Sequence, residues 1–286
     1  MTRYGTVEIG GTKTDVSMGT SPDDLVARHR IPTTDPEATL RSIVEFFAGI
    51  DLAAIGVGSF GPLVLDPASV RFGALRFTPK PGWSGTPLLD ILSNDLQVPV
   101  VLDTDVNAAA LGEGRWGAAR GMSDFVYVTV GTGIGAGIVV NGSLVNSTEH
   151  PEMGHIAVRR ASGDGFGGVC PYHEDCLEGL ASGPALEGRF GSPATWPGND
   201  LVVDLAAFYL AQGMLGLRYT VVPERIVVGG GVASLPGLHE RIRIELMTLM
   251  GGYPDQPDFD LLVSKAGLGD LSGLAGGLVL AEQTGR

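Results

Sequence analysis

Cys170, His173 and Cys176 form a Cys-x-x-His-x-x-Cys run, and His155 lies fifteen residues before its first cysteine. Two thiolates and two imidazoles are a donor set for tetrahedral zinc. Both cysteines of the chain fall in this run, within a glycine- and proline-rich stretch that does not resemble core packing. A Cys170–Cys176 disulfide and a pair of buried free thiols are the competing readings, and His150 is the alternative fourth ligand. Four protein ligands leave no open coordination position, so a zinc held here would be structural rather than hydrolytic. Glu152 stands three residues before His155, and Glu178 two after Cys176. A metal would tie both carboxylates to one rigid loop, where they could accept hydrogen bonds from the hydroxyls of a polyol. Solvated loop charges are the alternative for both.

A second chemical signal is Asp103-Thr104-Asp105, between the apolar run Val98 to Leu102 and an alanine-rich stretch. One aspartate at such a place is a good helix cap. Ligands of open α/β sheets bind beyond the carboxyl ends of strands, and an aspartate there can act as a general base. The third signal is a pair of Gly/Thr turns, Gly10-Gly11-Thr12-Lys13 and Gly131-Thr132-Gly133, with Gly229-Gly230-Gly231 as a further glycine cluster read as opening a helix. Glycine lets backbone approach an anion closely, and threonine adds a hydroxyl donor. Two such turns could hold a triphosphate; ordinary tight hairpins are the plain alternative. A P-loop is absent, because Lys13-Thr14 follows Thr12 rather than glycine. Gly56-Val57-Gly58-Ser59-Phe60-Gly61 spells the dinucleotide fingerprint, but Pro62 follows where that motif needs a helix.

Four segments share the pattern that must position these residues: a short apolar strand running into glycines, at Val7, Ile55, Val126 and Ile226. The first and third are each strand, Gly/Thr turn, strand. They start about 120 residues apart, which hints at a duplicated αβ unit. Between them the apolar spacing predicts helices over Pro36 to Phe47, with Asp35 as cap and proline at the first position. Further helices are expected over Asp105 to Trp116, Asp200 to Tyr219, Leu238 to Met250 and Leu271 to Gln283. Gly163 to Gly168 and Gly191 to Asn199 read as loops. Strands alternating with helices give an α/β fold with a partly parallel sheet.

Composition narrows the function classes. The chain has 286 residues, 44% hydrophobic and 18% charged, which favours a folded chain of about two domains. Its formal net charge of -13 disfavours a nucleic-acid partner, which basic residues would have to neutralise. A small phosphorylated ligand is compatible with it, because backbone N–H groups can hold phosphate. No apolar run is read as approaching the length of a membrane span, and no signal peptide is read before the first strand, so no membrane partner is expected. Two neighbouring cysteines are no disulfide scaffold and favour a reducing cytoplasm.

Seven motifs in order give the sequence a family resemblance over nearly its whole length. They are Glu8-Ile9-Gly10-Gly11-Thr12-Lys13, Gly58 to Pro62, Thr78-Pro79-Lys80-Pro81-Gly82-Trp83, Asp103 to Glu113, Gly131 to Gly135, His150-Pro151-Glu152-Met153-Gly154-His155 and Cys170 to Gly179. Together they resemble the bacterial ROK sugar kinases of the hexokinase–actin superfamily, and look most like their zinc-containing fructokinase branch. The resemblance implies a hexokinase/actin-like (ribonuclease H-like) α/β fold of two domains with a cleft between them. Residues 1–116, completed by the C-terminal helix at 271–286, would be the sugar-side domain. Residues 117–270 would carry the zinc loop and the nucleotide contacts. Asp105 falls on the catalytic aspartate, taking the proton of a sugar hydroxyl as its oxygen attacks the γ-phosphate of ATP. Mg²⁺ would bridge the phosphates. Gly10, Gly11, Thr12, Lys13, Gly131, Thr132 and Gly133 would line the phosphates, and Gly229, Gly230 and Gly231 the adenosine. Glu152, His155 and Glu178 would grip the sugar, with Gly61, Thr78, Lys80 and Thr104 also in the sugar site. His155, Cys170, His173 and Cys176 would hold Zn²⁺.

The implied activity is ATP-dependent phosphorylation of a hexose, with fructose to fructose 6-phosphate foremost and mannose, glucose or N-acetylmannosamine as alternatives. Glu8, where many ROK members have aspartate, and Thr104, where many have asparagine, are shared with the fructokinase branch and weaken a preference for glucose. A homodimer is expected from the same resemblance. A sugar-responsive repressor would need a DNA-binding segment ahead of the first strand, for which the sequence leaves no room. A non-catalytic zinc-stapled sugar-binding module would need neither Asp105 nor the phosphate turns.

Overall fold

The computed structural model describes residues 3–145 and 148–285. Each Gly/Thr turn closes an antiparallel hairpin, and each hairpin is part of one five-stranded sheet. The chain divides into two units: residues 1–121, 144–150 and 270–286 form unit 1, and residues 122–143 and 151–269 form unit 2.

In unit 1 the strands are β1 (Tyr4–Ile9), β2 (Lys13–Gly19), β3 (Val26–Pro32), β4 (Ala54–Ser59) and β5 (Val100–Thr104). Their order across the sheet is β3-β2-β1-β4-β5. β2 runs antiparallel to β1 and β3, whereas β4 and β5 continue parallel to β1. Register aligns the carboxyl ends: Ile9 pairs with Ser59, and Ser59 with Thr104. Gly10, Phe60 and Asp105 therefore leave the sheet side by side along one edge, the edge at which α/β sheets bind ligands.

Three helices cover this sheet's chemistry-bearing parts. Helix α1 (Pro36–Phe47) starts as its sequence dictates, with Asp35 accepting the Ala38 N–H at 2.9 Å and Leu40, Ile43 and Phe47 buried. Helix α2 (Leu88–Leu96) precedes β5, and α3 (Asp105–Trp116) follows it directly. The C-terminal helix α9 (Ser272–Glu282) belongs to this unit too. Its glycines cost helix propensity and are used for close approach. A Cβ on Gly276 would overlap the Ala108 carbonyl of α3, and one on Gly277 would overlap the Thr6 hydroxyl of β1. Thr6 Oγ1 donates to the Leu274 carbonyl at 2.6 Å, and buried Glu113 accepts the Ser272 hydroxyl at 2.7 Å.

Unit 2 repeats the plan with β6 (Phe125–Val130), β7 (Ile134–Val140), β8 (Ser143–Leu144), β9 (Arg225–Gly229) and β10 (Val263–Lys265), ordered β10-β9-β6-β7-β8. β7 is antiparallel to β6, and β9 and β10 run parallel to β6 and to each other. The shared strand order gives the duplication hinted at by the two hairpins a topological form. The helices are α4 (Leu177–Ala181), α5 (Gly183–Phe190), α6 (Asp200–Thr220), α7 (Leu238–Met250) and α8 (Phe259–Leu262), with α9 at Ser272–Glu282 in unit 1.

Two expectations need correction. Helix α6 is, by length and composition, apolar enough to cross a membrane, contrary to the reading that no run approaches such a span. More than half of its most apolar stretch is buried among the strands and helices of unit 2, where Val202, Ala206, Tyr209, Leu210 and Met214 form the core. Burial inside a two-layer unit demands the same apolar surround that a bilayer would. Gly229-Gly230-Gly231 does not open an α-helix: a single 3₁₀ turn, Val232–Ser234, follows, and α7 begins only at Leu238.

Candidate active site and metal centre

The two aspartates that flank Thr104 have different surroundings. Thr104, not either aspartate, is the cap of α3, its hydroxyl accepting the Asn107 N–H at 3.1 Å. Asp103 is buried, with Oδ1 accepting the Thr104 N–H and the Asn107 side-chain amide, each at 2.7 Å. Burial raises its pKa and those two bonds oppose the rise. Asp105 is half-buried at the carboxyl edge of the sheet, and its carboxylate accepts the adjacent Val106 N–H, at 2.9 Å, and its own backbone N–H. Burial pushes Asp105 up to about 6, so it is ionised at neutral pH yet basic enough to take a proton.

Glu8, at the end of β1, lies in the same field. Burial first, then the charges of Asp105 and Asp15, push it up to about 7, while Lys13 and Arg28 pull it back. Its carboxyl fills the space that any side chain on Gly273 of α9 would need. Asp15 on β2 is buried and held by a bidentate Arg30, at 2.9 and 3.0 Å, with Lys13 and Arg28 each 3.8 Å away.

The β1–β2 turn is closed by the Gly10 N–H on the Lys13 carbonyl, at 2.9 Å, and the Thr12 carbonyl accepts the Thr33 N–H at 3.1 Å. Lys80 reaches it from the Thr78 to Trp83 segment. Its ammonium donates to the Gly11 carbonyl at 2.6 Å and the Thr33 carbonyl at 3.0 Å. Buried Trp83 donates to the Thr34 carbonyl and meets Phe60 edge-on at 5.1 Å. Gly61 lies against the His150 ring, whose Nε2 accepts the Leu63 N–H at 3.2 Å. The structure thus gathers Gly10, Gly11, Lys13, Gly61, Thr78, Lys80, Thr104 and Asp105 into unit 1, around one sheet edge. The Lys80 bonds to the turn were invisible in the sequence, where nothing local links position 80 to position 11.

Unit 2 holds the other predicted residues. Gly131, Thr132 and Gly133 form the β6–β7 turn, closed by the Gly131 N–H on the Gly133 carbonyl at 2.9 Å. Thr129 pairs with Gly229, so the turn and Gly230 leave adjacent parallel strands at one edge. Gly230 has φ +93, and a Cβ there would strike the Val130 backbone at 2.5 Å; only glycine fits.

The donor atoms of His155, Cys170, His173 and Cys176 all lie within 4.8 Å of one another. Cys170 Sγ is 3.6 Å from His155 Nδ1 and 3.8 Å from His173 Nδ1, and Cys176 Sγ is 3.6 Å from His155 Nδ1. Zinc bonds of about 2.3 Å to sulfur and about 2.05 Å to nitrogen, at the tetrahedral angle, separate donors by about 3.6 Å. The donor set and its spacing fit zinc. Neither cysteine is in a disulfide, and His150 lies in unit 1 rather than with this cluster. Reciprocal Cys170–Glu174 backbone bonds at 3.0 and 3.2 Å close the knuckle that carries Cys170 and His173. A clamp that sequence reading missed lies in the loop before it. Asp164 takes hydrogen bonds from Arg189 and from the Tyr209 hydroxyl. Burial would raise Asp164, but those bonds hold it down at about 2. Glu152 occupies the N-cap position of the 3₁₀ turn that carries His155, and Glu178 sits in the first turn of α4.

The ROK family model matches residues 4–284, almost the entire chain. The protein belongs to the ROK family. It is 40% identical over 291 aligned residues to a fructokinase of Zymomonas mobilis, covering 97% of this chain and 96% of that one. A fructokinase of Pediococcus pentosaceus is 38% identical, covering 97% of both chains. Among solved structures, a ROK family glucokinase from Streptomyces griseus in complex with glucose and AMPPNP superposes with TM-score 0.80 at 27% identity, over 98% of this chain and 99% of that one. This ROK chain therefore has the hexokinase-like α/β fold its motifs implied.

Proposed function

We propose that this chain is an ATP-dependent fructokinase that forms fructose 6-phosphate, with Asp105 as general base. The observation that carries the reading is near-complete alignment with fructokinases at 38–40% identity, against 27% for the glucokinase. The contrast between Asp103 and Asp105 supports the assignment of the base: one carboxylate is tied to the Asn107 side chain of its own helix, and the other, pushed up by burial, takes only backbone N–H groups among the bonds described. Asp105 takes the proton of the sugar's 6-hydroxyl as that oxygen displaces ADP from the γ-phosphorus, and positioning does most of the remaining work. Glu152, His155 and Glu178 orient the other hydroxyls, together with Gly61, Thr78, Lys80 and Thr104. The Gly10 to Lys13 and Gly131 to Gly133 turns hold the phosphates, and Gly229, Gly230 and Gly231 lie against the nucleoside. ATP enters as its magnesium complex. Zinc on His155, Cys170, His173 and Cys176 supplies a fixed frame and takes no part in bond making. The protein acts in the cytoplasm as a homodimer.

The test is a hexose panel. Fructose, mannose, glucose and N-acetylmannosamine are each offered with MgATP, ADP release is followed, and the phosphorylated carbon is read by NMR. Fructose should give the highest kcat/KM, with phosphate on carbon 6. A higher kcat/KM for another hexose, or phosphate elsewhere, would replace this reading.

A further inference from the structure

The segment following the metal run is fastened to the β6–β7 turn at two points. Glu178 accepts the Ile134 N–H through Oε2 at 2.9 Å. Gly183, the first residue of α5, donates its N–H to the Gly131 carbonyl at 2.7 Å. A Cβ on Gly133 would come within 2.7 Å of the same Glu178 oxygen, so the turn passes the carboxylate at a range that suits glycine. Behind Glu178 the chain is rigid. Gly179 accepts the Val169 N–H at 3.0 Å, and a side chain on Gly179 would overlap the Glu174 carbonyl of the knuckle. Leu177, between Cys176 and Glu178, is fully buried and donates its N–H to the Ile156 carbonyl at 3.0 Å.

We propose that Glu178 is a positioning residue for the nucleotide turn in addition to contacting the sugar, and that the His–Cys cluster sets the backbone of Gly131-Thr132-Gly133 through it. The proposal rests on the reading of that turn as phosphate-holding. One carboxylate oxygen is committed to the Ile134 N–H, which leaves Oε1 for a hydroxyl. The same side chain therefore links the metal loop to the nucleotide before any sugar is bound. A glutamate that served the sugar alone would have no influence on nucleotide affinity in the absence of sugar.

The experiment measures binding of AMPPNP with Mg²⁺ by calorimetry on the zinc-loaded protein, with no sugar present. Glu178→Ala should weaken binding by about tenfold, the effect of losing one hydrogen bond to a charged group. Glu178→Gln, whose amide oxygen can still accept the Ile134 N–H, should retain most of the affinity. Gly133→Ala should weaken binding in the wild-type background and add little to Glu178→Ala, the mark of a shared contact. Hydrogen exchange of the Ile134 amide should quicken in Glu178→Ala and after chelation, and stay slow in Glu178→Gln. Should Glu178→Ala fail to fold, Gly133→Ala and the chelated protein carry the test. Affinities equal within about twofold, with unchanged Ile134 exchange, would overturn the proposal. A wild-type protein that binds no AMPPNP would overturn the nucleotide reading instead, and Ile134 exchange would still decide the link.

Discussion

Both units order their five strands alike and open a glycine turn after the first strand, yet they surround those turns with different chemistry. Unit 1 places ionisable side chains there: Glu8, Asp15 and Asp105, with Lys13, Arg28 and Arg30 around Asp15. Unit 2 braces its turn with a carboxylate and a backbone N–H from the helices that follow a His–Cys cluster. The repeated sheet fixes where the strand ends and the glycine turns fall. What differs is the residue just beyond the outermost parallel strand, Asp105 after β5 in one unit and Ala266 after β10 in the other. One sheet plan therefore carries a raised carboxylate at its edge in one unit and a braced backbone turn in the other.

The largest effect should separate the two aspartates of unit 1. Asp105→Asn should lower kcat by roughly 10²- to 10⁴-fold without lowering the melting temperature, since burial already disfavours the charged form of Asp105. Asp103→Ala should do its damage in stability. It leaves the buried Thr104 N–H and Asn107 amide without their acceptor, a cost of about 1–3 kcal/mol by chemical denaturation. If both variants lost only turnover, the division of labour between them would fail.

A second contrast concerns how each unit packs backbone on backbone. Gly276→Ala in unit 1 would drive a methyl into the Ala108 carbonyl, and Gly154→Ala in unit 2 would do the same to the Ile134 carbonyl. Each should cost about 1–3 kcal/mol or more, since neither obstacle can rotate away. Denaturant midpoints that stayed at the wild-type value would show that the helices can shift apart.

Much of this architecture was legible in the sequence. Both hairpins, the limits of α1, α3 and α7, and the grouping of His155 with the Cys-x-x-His-x-x-Cys run follow from periodicity, caps and ligand spacing, all local properties. The strand order was not legible, because pairing between β1 and β4 depends on contacts some fifty residues apart. The bonds from Lys80 to Gly11 and from Glu178 to Ile134 were hidden for the same reason. The apolar character of α6 was misjudged as falling short of a membrane span because charges at its ends interrupt the run, although its length and interior satisfy that test. The need for glycine at position 273 was equally hidden, because it comes from Glu8, whose carboxyl takes the space a side chain there would need.

The smallest effect tests the charge balance of unit 1. Glu8 has a folded pKa of about 7 against an ordinary 4.5, so the fold favours its neutral form. That stabilising contribution is complete below pH 4.5 and is lost as pH rises through 7. Glu8→Gln, which never ionises, should therefore melt higher than wild type at pH 8 and match it at pH 4. A variant that melts lower at pH 8 would mean that Glu8 is held as an anion by partners stronger than Lys13 and Arg28.

The most direct test of the account is the pH dependence of kcat/KM for fructose, from pH 5 to 8. The rate should fall as pH drops through about 6, where Asp105 takes up its proton, with Glu8 contributing to apparent values that belong to the pair. Asp105→Asn should show only the residual rate, without that limb. A flat profile in the wild type, together with near wild-type turnover in Asp105→Asn, would contradict the assignment of Asp105 as the base.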